Sequence, residues 1–474
     1  MSVPTPWLLG LFLLGILRSF LPKIQTSVTE GVFWWEASGE LVDDGTDRPE
    51  ASGAVTAQGG PVTTVAKTQF LNDSLRTSTS PAAVELYQRL SSNMVSSAPK
   101  TLFGHQDDFA YGYAWPYKRG EPLPKYGDAW KSDVFFATNQ KEYPAVFGFD
   151  IHNLDSKSGR NIDGIDKDDM RKWIHGLFHG PSKLSLGGGK PIVTLSMHQA
   201  NPLTGGTAFD NTPGTVKAIL PGGEKHDHYV NGVLAALAAF FRDLSSAGIA
   251  VVFRPYHEHN QKWSWWQTTA CTAEEFVQLW RMTVDYLRGP GGVDNVLYAI
   301  SPQDVGGDSP DGALAEYFDE RYPGDAYVDL WGFDAYRLYD GTEAHRLGRK
   351  LRMLVDHSLA EGRRKGLTHP KPVLLTEVGG LARSGQGKPD YVPHSWWTRH
   401  LGHALEMAQS RVAYALVWRN EYQSLDCFVP VPLGGFRSIC QLEDFQEWVS
   451  RTTVGLLAFT GIPPDDTAAS VQIV

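Results

Sequence analysis

The run Val251-Val-Phe-Arg-Pro-Tyr-His-Glu-His-Asn260 begins as an unbroken apolar segment and turns abruptly to Arg254, His257 and Glu258. A strand buried on both faces of a parallel sheet reads as a near-continuous hydrophobic segment. A polar residue at its C-terminal end faces the mouth where barrel enzymes do their chemistry. Pro372-Val-Leu-Leu-Thr-Glu-Val-Gly379 repeats the pattern, with Glu377 at the break. Working outward, strand-like segments recur at 101–104, 145–150, 192–196, 249–253, 296–300, 328–333, 373–375 and 412–417. Helical periodicity fills the gaps, as in 228–243 and 273–287, where apolar residues return at three and four. Strand alternating with helix implies a parallel sheet. Eight such units over roughly 350 residues are the tally of an α/β (β/α)8 TIM barrel. An open doubly wound sheet is disfavoured, because no G-x-G-x-x-G follows the first strand.

The flanks are of a different composition. Trp7-Leu-Leu-Gly-Leu-Phe-Leu-Leu-Gly-Ile-Leu17 is 11 apolar residues long. That suits the apolar core of a secretory signal and falls short of the roughly 20 residues needed to span a bilayer. Residues 1–24 are therefore read as a signal peptide or anchor, with secretion predicted, membrane anchoring by this segment as the alternative, and stable membrane insertion not expected. Residues 25–95, rich in Thr, Ser, Gly and Ala, are read as a linker or mobile N-terminal arm with an amphipathic helix, 81–90, near its end. The barrel is expected over 96–455 and a C-terminal tail over 456–474.

Composition narrows the partners. Lys and Arg number 43 against 53 Asp and Glu, a net charge of −10, and no basic block tracks a phosphate backbone, so nucleic acid is not expected. Three cysteines without a C-x-x-C signal neither a zinc site nor a disulfide framework; Cys427 and Cys440 are close enough in sequence to bridge in an exported chain, leaving Cys271 free. Glu224-Lys-His-Asp-His228 contains metal-ligand types without H-E-x-x-H spacing and reads as a solvated loop. Gly187-Gly-Gly189 lacks the Lys-Ser/Thr ending of a phosphate loop. No metal and no cofactor is implied. The chain carries 15 Trp, which suits stacking against sugar rings as well as core packing.

Nearly every strand is followed by a polar or aromatic cluster: Gly104-His-Gln-Asp-Asp108, Asp150-Ile-His-Asn153, Ser196-Met-His-Gln-Ala-Asn-Pro202, Arg254-Pro-Tyr-His-Glu258, Ser301-Pro-Gln303, Asp334-Ala-Tyr336, Thr376-Glu377 and Trp418-Arg-Asn420. In a barrel these converge on one mouth. Two carboxylates across such a mouth are the equipment for glycoside cleavage, one protonated to donate to the leaving oxygen and one ionised to attack the anomeric carbon.

The stretch Arg254-Pro-Tyr-His-Glu-His-Asn-Gln-Lys-Trp-Ser-Trp-Trp266 resembles the R-P-x-H-E-x-N-x-x-W-x-W-W block of glycoside hydrolase family 26, the β-mannanase family of the retaining barrel clan. Supporting blocks are Gly104-His-Gln106, Ser196-x-His-x-x-Asn-Pro202, Tyr322-Pro-Gly-Asp-x-Tyr-Val-Asp-x-x-Gly-Phe-Asp-x-Tyr336, Thr376-Glu-x-Gly379 and Val417-Trp-Arg-Asn420. The chain departs from the family at Gln261, where Gly is usual, at Ser264, in place of an aromatic, and at Met197, in place of Trp. The resemblance implies Glu258 as acid/base and Glu377 as nucleophile. It further implies His198 and His257 near the cleaved sugar, Tyr336 holding the nucleophile, Trp263 and Trp418 as an aromatic platform, and Asp334 and Arg419 reading hydroxyls. The expected protein is a secreted, monomeric, retaining endo-β-1,4-mannanase acting on β-mannan-type polysaccharide. Action on β-1,3-xylan or mixed-linkage β-glucan, or a barrel that binds polysaccharide without cutting it, are the alternatives.

Overall fold

The computed structural model describes residues 79–113, 115–120, 125–126, 129–138, 142–152, 154, 159–161, 163–179, 190–304, 317–336, 338, 340–380, 395–421, 428–431 and 439–456. All of them belong to one unit, Ala66–Val474. The signal or anchor at 1–24, the tail beyond its first residue, and Cys427 of the suggested bridge lie outside the described residues. Cys271 is buried and free.

Eight parallel strands form the barrel: β1 Thr101–Gln106, β2 Val146–Asp150, β3 Ile192–Ser196, β4 Val251–Arg254, β5 Val296–Ile300, β6 Leu330–Ala335, β7 Val373–Val378 and β8 Tyr414–Val417. Each pairs with its neighbour in sequence order, and β8 closes the ring on β1 with Leu102 opposite Tyr414 and His105 opposite Val417. Helices packed outside the ring include α1 Pro81–Val95, α2 Lys167–His179, α3 Ala235–Ser246, α4 Ala273–Arg288, α5 Gly341–Lys365, α6 Gly402–Met407 and α7 Ile439–Val449. No described helix is long and apolar enough to cross a membrane. Much of the tryptophan excess is core, since Trp265, Trp266, Trp280, Trp396 and Trp397 are almost wholly buried.

The expected helix over 228–243 is interrupted. A π-helical turn over Tyr229–Leu234 precedes α3, and a second over Trp396–Leu401 precedes α6. Such turns insert one extra residue per turn, which an apolar spacing of three and four does not reveal.

The reading of 25–95 as a mobile arm needs correction at its end. Ser80 caps α1 by accepting from the Ala83 N–H, and Pro81 occupies a position where its missing N–H costs nothing. Leu86, Tyr87, Leu90 and Met94 are buried against the barrel. Ser91 Oγ donates to the Pro370 carbonyl at 2.6 Å, and Asn93 Nδ2 to the carbonyls of Ser410 and Val412, both at 3.1 Å. Arg411 returns the contact, donating to the Met94 and Ser96 carbonyls. Residues 80–96 are part of the barrel body. A further short strand not foreseen, β9 Val454–Gly455, pairs with the start of β1, Thr101 opposite Val454. Segments from both flanks thus meet at the β1–β8 seam.

One irregularity in the ring matters for the site. In the β6–β7 pairing Phe333 lies opposite Leu375 but Asp334 lies opposite Glu377, and in the β7–β8 pairing Ala415 and Val417 lie opposite Leu375 and Val378. Both neighbours therefore skip a residue on β7, the signature of a β-bulge, a device common next to active sites because it re-aims a side chain. Gly332 makes room for it: a Cβ there would come within 2.6 Å of the Thr376 methyl.

Candidate active site

Glu258 stands just past the end of β4, Asp334 in β6 and Glu377 in the β7 bulge. One carboxylate oxygen from each lies within 4.8 Å of the others. The Glu258–Glu377 gap therefore falls near the roughly 5–5.5 Å of retaining glycosidases and short of the roughly 6.5–9.5 Å that inverting enzymes keep for a water.

Arg254, the last residue of β4, ties the floor together. Its Nη1 donates to Asp334 Oδ2 at 2.7 Å and to Ser301 Oγ at 3.0 Å, and its Nη2 donates to Glu377 Oε1. Tyr336 donates its phenol proton to Glu377 Oε2 at 2.6 Å. Both oxygens of Glu377 are thus fixed by donors, one of them a permanent cation. Asp334, Glu258 and Glu377 are also the one grouping of three or more potential metal ligands among the described residues. The Arg254 guanidinium already provides positive charge beside two of these carboxylates.

Glu258 has the opposite environment. It is 2% exposed, and its Oε1 is buried without a hydrogen-bond partner. Oε2 accepts from the Trp263 indole N–H at 2.6 Å. Burial first, then the like charges of Asp334 and Glu377, push its carboxyl well above the ordinary range, overcoming the downward pull of Trp263 and Arg254. A carboxyl so placed keeps its proton when others have lost theirs, which is what a general acid requires. Its backbone sits at φ 51°, and that of Tyr256 at φ 49°. For residues other than glycine each such left-handed conformation costs on the order of 1–3 kcal/mol and persists only where surrounding contacts enforce it.

The remaining sequence candidates fall into three groups. His198, His257 and Trp263 gather on the Glu258 side: the His198 ring stacks on Trp263 at 5.3 Å and meets the edge of His257 at 4.6 Å. Asp150, at the end of β2, accepts from His198 Nδ1 at 2.8 Å and from its backbone N–H at 3.0 Å, orienting the imidazole. Burial alone would raise the Asp150 carboxyl, but the charge and hydrogen bond of His198 bring it down to about 2. His257 is held neutral, its pKa pushed well down by burial, then by Arg254 and His198. Its Nδ1 is buried without a partner. Tyr336, Trp418 and Arg419 gather on the Glu377 side, with the Trp418 ring edge-on to Tyr336 at 6.4 Å. The Arg419 guanidinium lies 5.8 Å from the Trp418 ring centre and pairs with Asp163.

Asp334 stands alone as a correction. It is wholly buried, one oxygen taking Arg254 and Ser301 and the other accepting from Thr376 Oγ1 at 2.7 Å. With both oxygens engaged by the protein it does not read sugar hydroxyls; it fixes Arg254 against Glu377.

Several contributors carried no assigned role in the sequence reading. Ser301, Thr376 and Asp150 stood in the post-strand clusters, where spacing alone does not say which polar residue faces inward. Phe209 gave no signal at all. It is 37% exposed, one of two large apolar residues left so open among the described residues, and its ring lies 5.4 Å from Trp263 and 6.1 Å from His198, extending the aromatic surface outward.

Comparison with known proteins accords with this geometry. The model of glycosyl hydrolase family 26 matches residues 92–357. A mannan endo-1,4-beta-mannosidase of Bifidobacterium adolescentis is 34% identical over 305 residues, 61% of this chain and 28% of that relative's length. One of Bacillus subtilis is 26% identical over 301 residues, 61% of this chain and 69% of the relative. Among solved structures, the family 26 β-mannanase BoMan26A of Bacteroides ovatus superposes with a TM-score of 0.63 at 30% identity, covering 80% of this chain and 95% of that one. The match over more than half of the residues, together with the closed eight-stranded ring and its paired glutamates, places this chain in glycosyl hydrolase family 26.

Proposed function

We propose that this protein is a secreted, retaining endo-β-1,4-mannanase that cleaves β-mannan-type polysaccharide by double displacement. The observation that carries the reading is the close approach of Glu258 and Glu377 with opposite surroundings, one carboxyl with a single neutral donor and a bare oxygen, the other with a donor on each oxygen. In the first step a Glu377 oxygen bonds to the anomeric carbon as the glycosidic C–O bond breaks, and the Glu258 proton passes to the departing oxygen. In the second, Glu258 takes a proton from a water that attacks the same carbon, releasing Glu377 as a carboxylate and the sugar with its original anomeric configuration.

Mannan is favoured as substrate because both curated relatives described above carry that activity in their names. Of the three departures from the family pattern, Met197 and Ser264 are wholly buried, and so do not line the cleft. Export rests on the apolar stretch 7–17. The deciding experiment is reducing-sugar release from mannan, galactomannan, β-1,3-xylan and mixed-linkage β-glucan. Release from the first two is expected; release from xylan or glucan alone moves the substrate, and release from none leaves a polysaccharide-binding barrel.

Charge coupling within the site gives a second expectation. Asp334 is the larger of the two like charges raising Glu258, so Asp334→Asn should let the acid ionise at lower pH. The alkaline limb of the kcat/KM profile should move down by on the order of one pH unit. A limb that stays in place while overall activity falls would assign that limb to another group.

A further inference from the structure

We propose that Tyr256 positions the acid/base Glu258 through a buried chain of three hydroxyls, Tyr229–Tyr256–Thr283, and thereby controls proton delivery to the leaving group. The proposal rests on the reading of Glu258 as the acid. Tyr256 is two residues upstream of Glu258, wholly buried, and, like it, in the left-handed backbone region. Two contacts hold the intervening backbone: the Trp266 indole N–H donates to the His257 carbonyl at 2.8 Å, and the Glu258 N–H donates to the Ser301 carbonyl at 2.8 Å. Neither forces Tyr256 itself into that conformation.

The side chain does. The phenol oxygen of Tyr256 lies 2.7 Å from that of Tyr229 and 2.8 Å from Thr283 Oγ1. Tyr229 opens the π-helical turn before α3, and Thr283 faces inward from the middle of α4. Trp265, Trp266 and Trp280 meet the Tyr256 ring edge-on at 6.0, 6.0 and 6.4 Å. The ring is therefore gripped at its tip by two outer helical elements and along its sides by indoles. A left-handed residue that is not glycine survives only under such over-determination. Burial pushes the phenol up to about 12, so the hydroxyl stays a proton donor across the working range. Because the hydroxyl points away from the cleft into the helix layer, it acts through backbone placement and not on the reacting atoms.

A role through Glu258 predicts a signature that general loosening lacks. In the full-length chain, Tyr256→Phe and Tyr229→Phe should lower kcat/KM about tenfold or more on phenyl β-mannobioside and mannooligosaccharides, whose leaving oxygen needs a proton. Both should leave 2,4-dinitrophenyl β-mannobioside, whose leaving group does not, within about twofold of wild type. Circular dichroism melts establish that each variant is folded, and Tyr229→Phe serves if Tyr256→Phe is not. Equal losses on both leaving groups, or no loss on either, overturn the proposal. Glu258→Ala run beside them separates the layers. If it spares the dinitrophenyl substrate while the tyrosine variants do not, the positioning role falls and the acid assignment stands; if Glu258→Ala loses both equally, both fall.

Discussion

Glu377→Ala should reduce mannan hydrolysis on the order of 10^5-fold, because under the proposed mechanism it removes the covalent nucleophile from a unit whose members act together. Truncation takes away the carboxylate, while Arg254 and Tyr336, which hold it, stay in the site. The space vacated suits a small anion, so azide with a dinitrophenyl mannobioside should restore turnover and yield a glycosyl azide of inverted configuration. Formation of that product reports a nucleophile missing from one face of the sugar, which a merely misfolded site would not supply. Wild-type turnover in the variant, without azide, would remove Glu377 from the mechanism.

Arg254→Met should lower stability by about 3–5 kcal/mol, since removing one partner of a buried ion pair strands the other charge in a medium that cannot solvate it. Here one cation serves two carboxylates, and Asp334 has no path to water. Burial already raises the Asp334 carboxyl well above its ordinary value despite Arg254, and loss of the guanidinium raises it further. With the folded pKa above the unfolded value of about 3.9, the folded variant binds the extra proton, so its stability falls as pH rises from about 4. The deficit against wild type in denaturant midpoints should therefore be smaller near pH 5 than at pH 7. A deficit independent of pH would trace the loss to packing of the side chain instead of charge.

Much of the architecture was legible because a barrel strand is buried on both faces and must be written in apolar residues. The ends were less so. β1 runs on through the polar residues His105 and Gln106, and His105 Nδ1 finds Asp108 at 2.6 Å, a contact the apolar pattern does not announce. Glu258 and Glu377 were legible because each breaks an apolar run. The bulge that turns Glu377 toward Asp334 was not, since register is a property of two neighbouring strands and is not encoded in β7 alone. Asp334 was misassigned for a related reason: the residue type suits hydroxyl recognition, but depth below the cleft decides, and depth depends on Arg254, Ser301 and Thr376 arriving from three other strand ends. Phe209 lies in a loop whose course is set by side-chain bonds such as Asn201 Nδ2 to the Asp210 carbonyl, where periodicity has nothing to say.

The seam where β1 meets β8 sets the order in which the molecule can be made. β1 needs Tyr414–Val417 on one edge, α1 needs the carbonyls of Ser410 and Val412, and β9 closes on Thr101 last of all. On a ribosome, β1 emerges more than 300 residues before its partner and waits with an open edge that can template pairing with another chain. Holdase chaperones should therefore engage the nascent polypeptide for most of its synthesis, and release should coincide with the emergence of the last barrel strand.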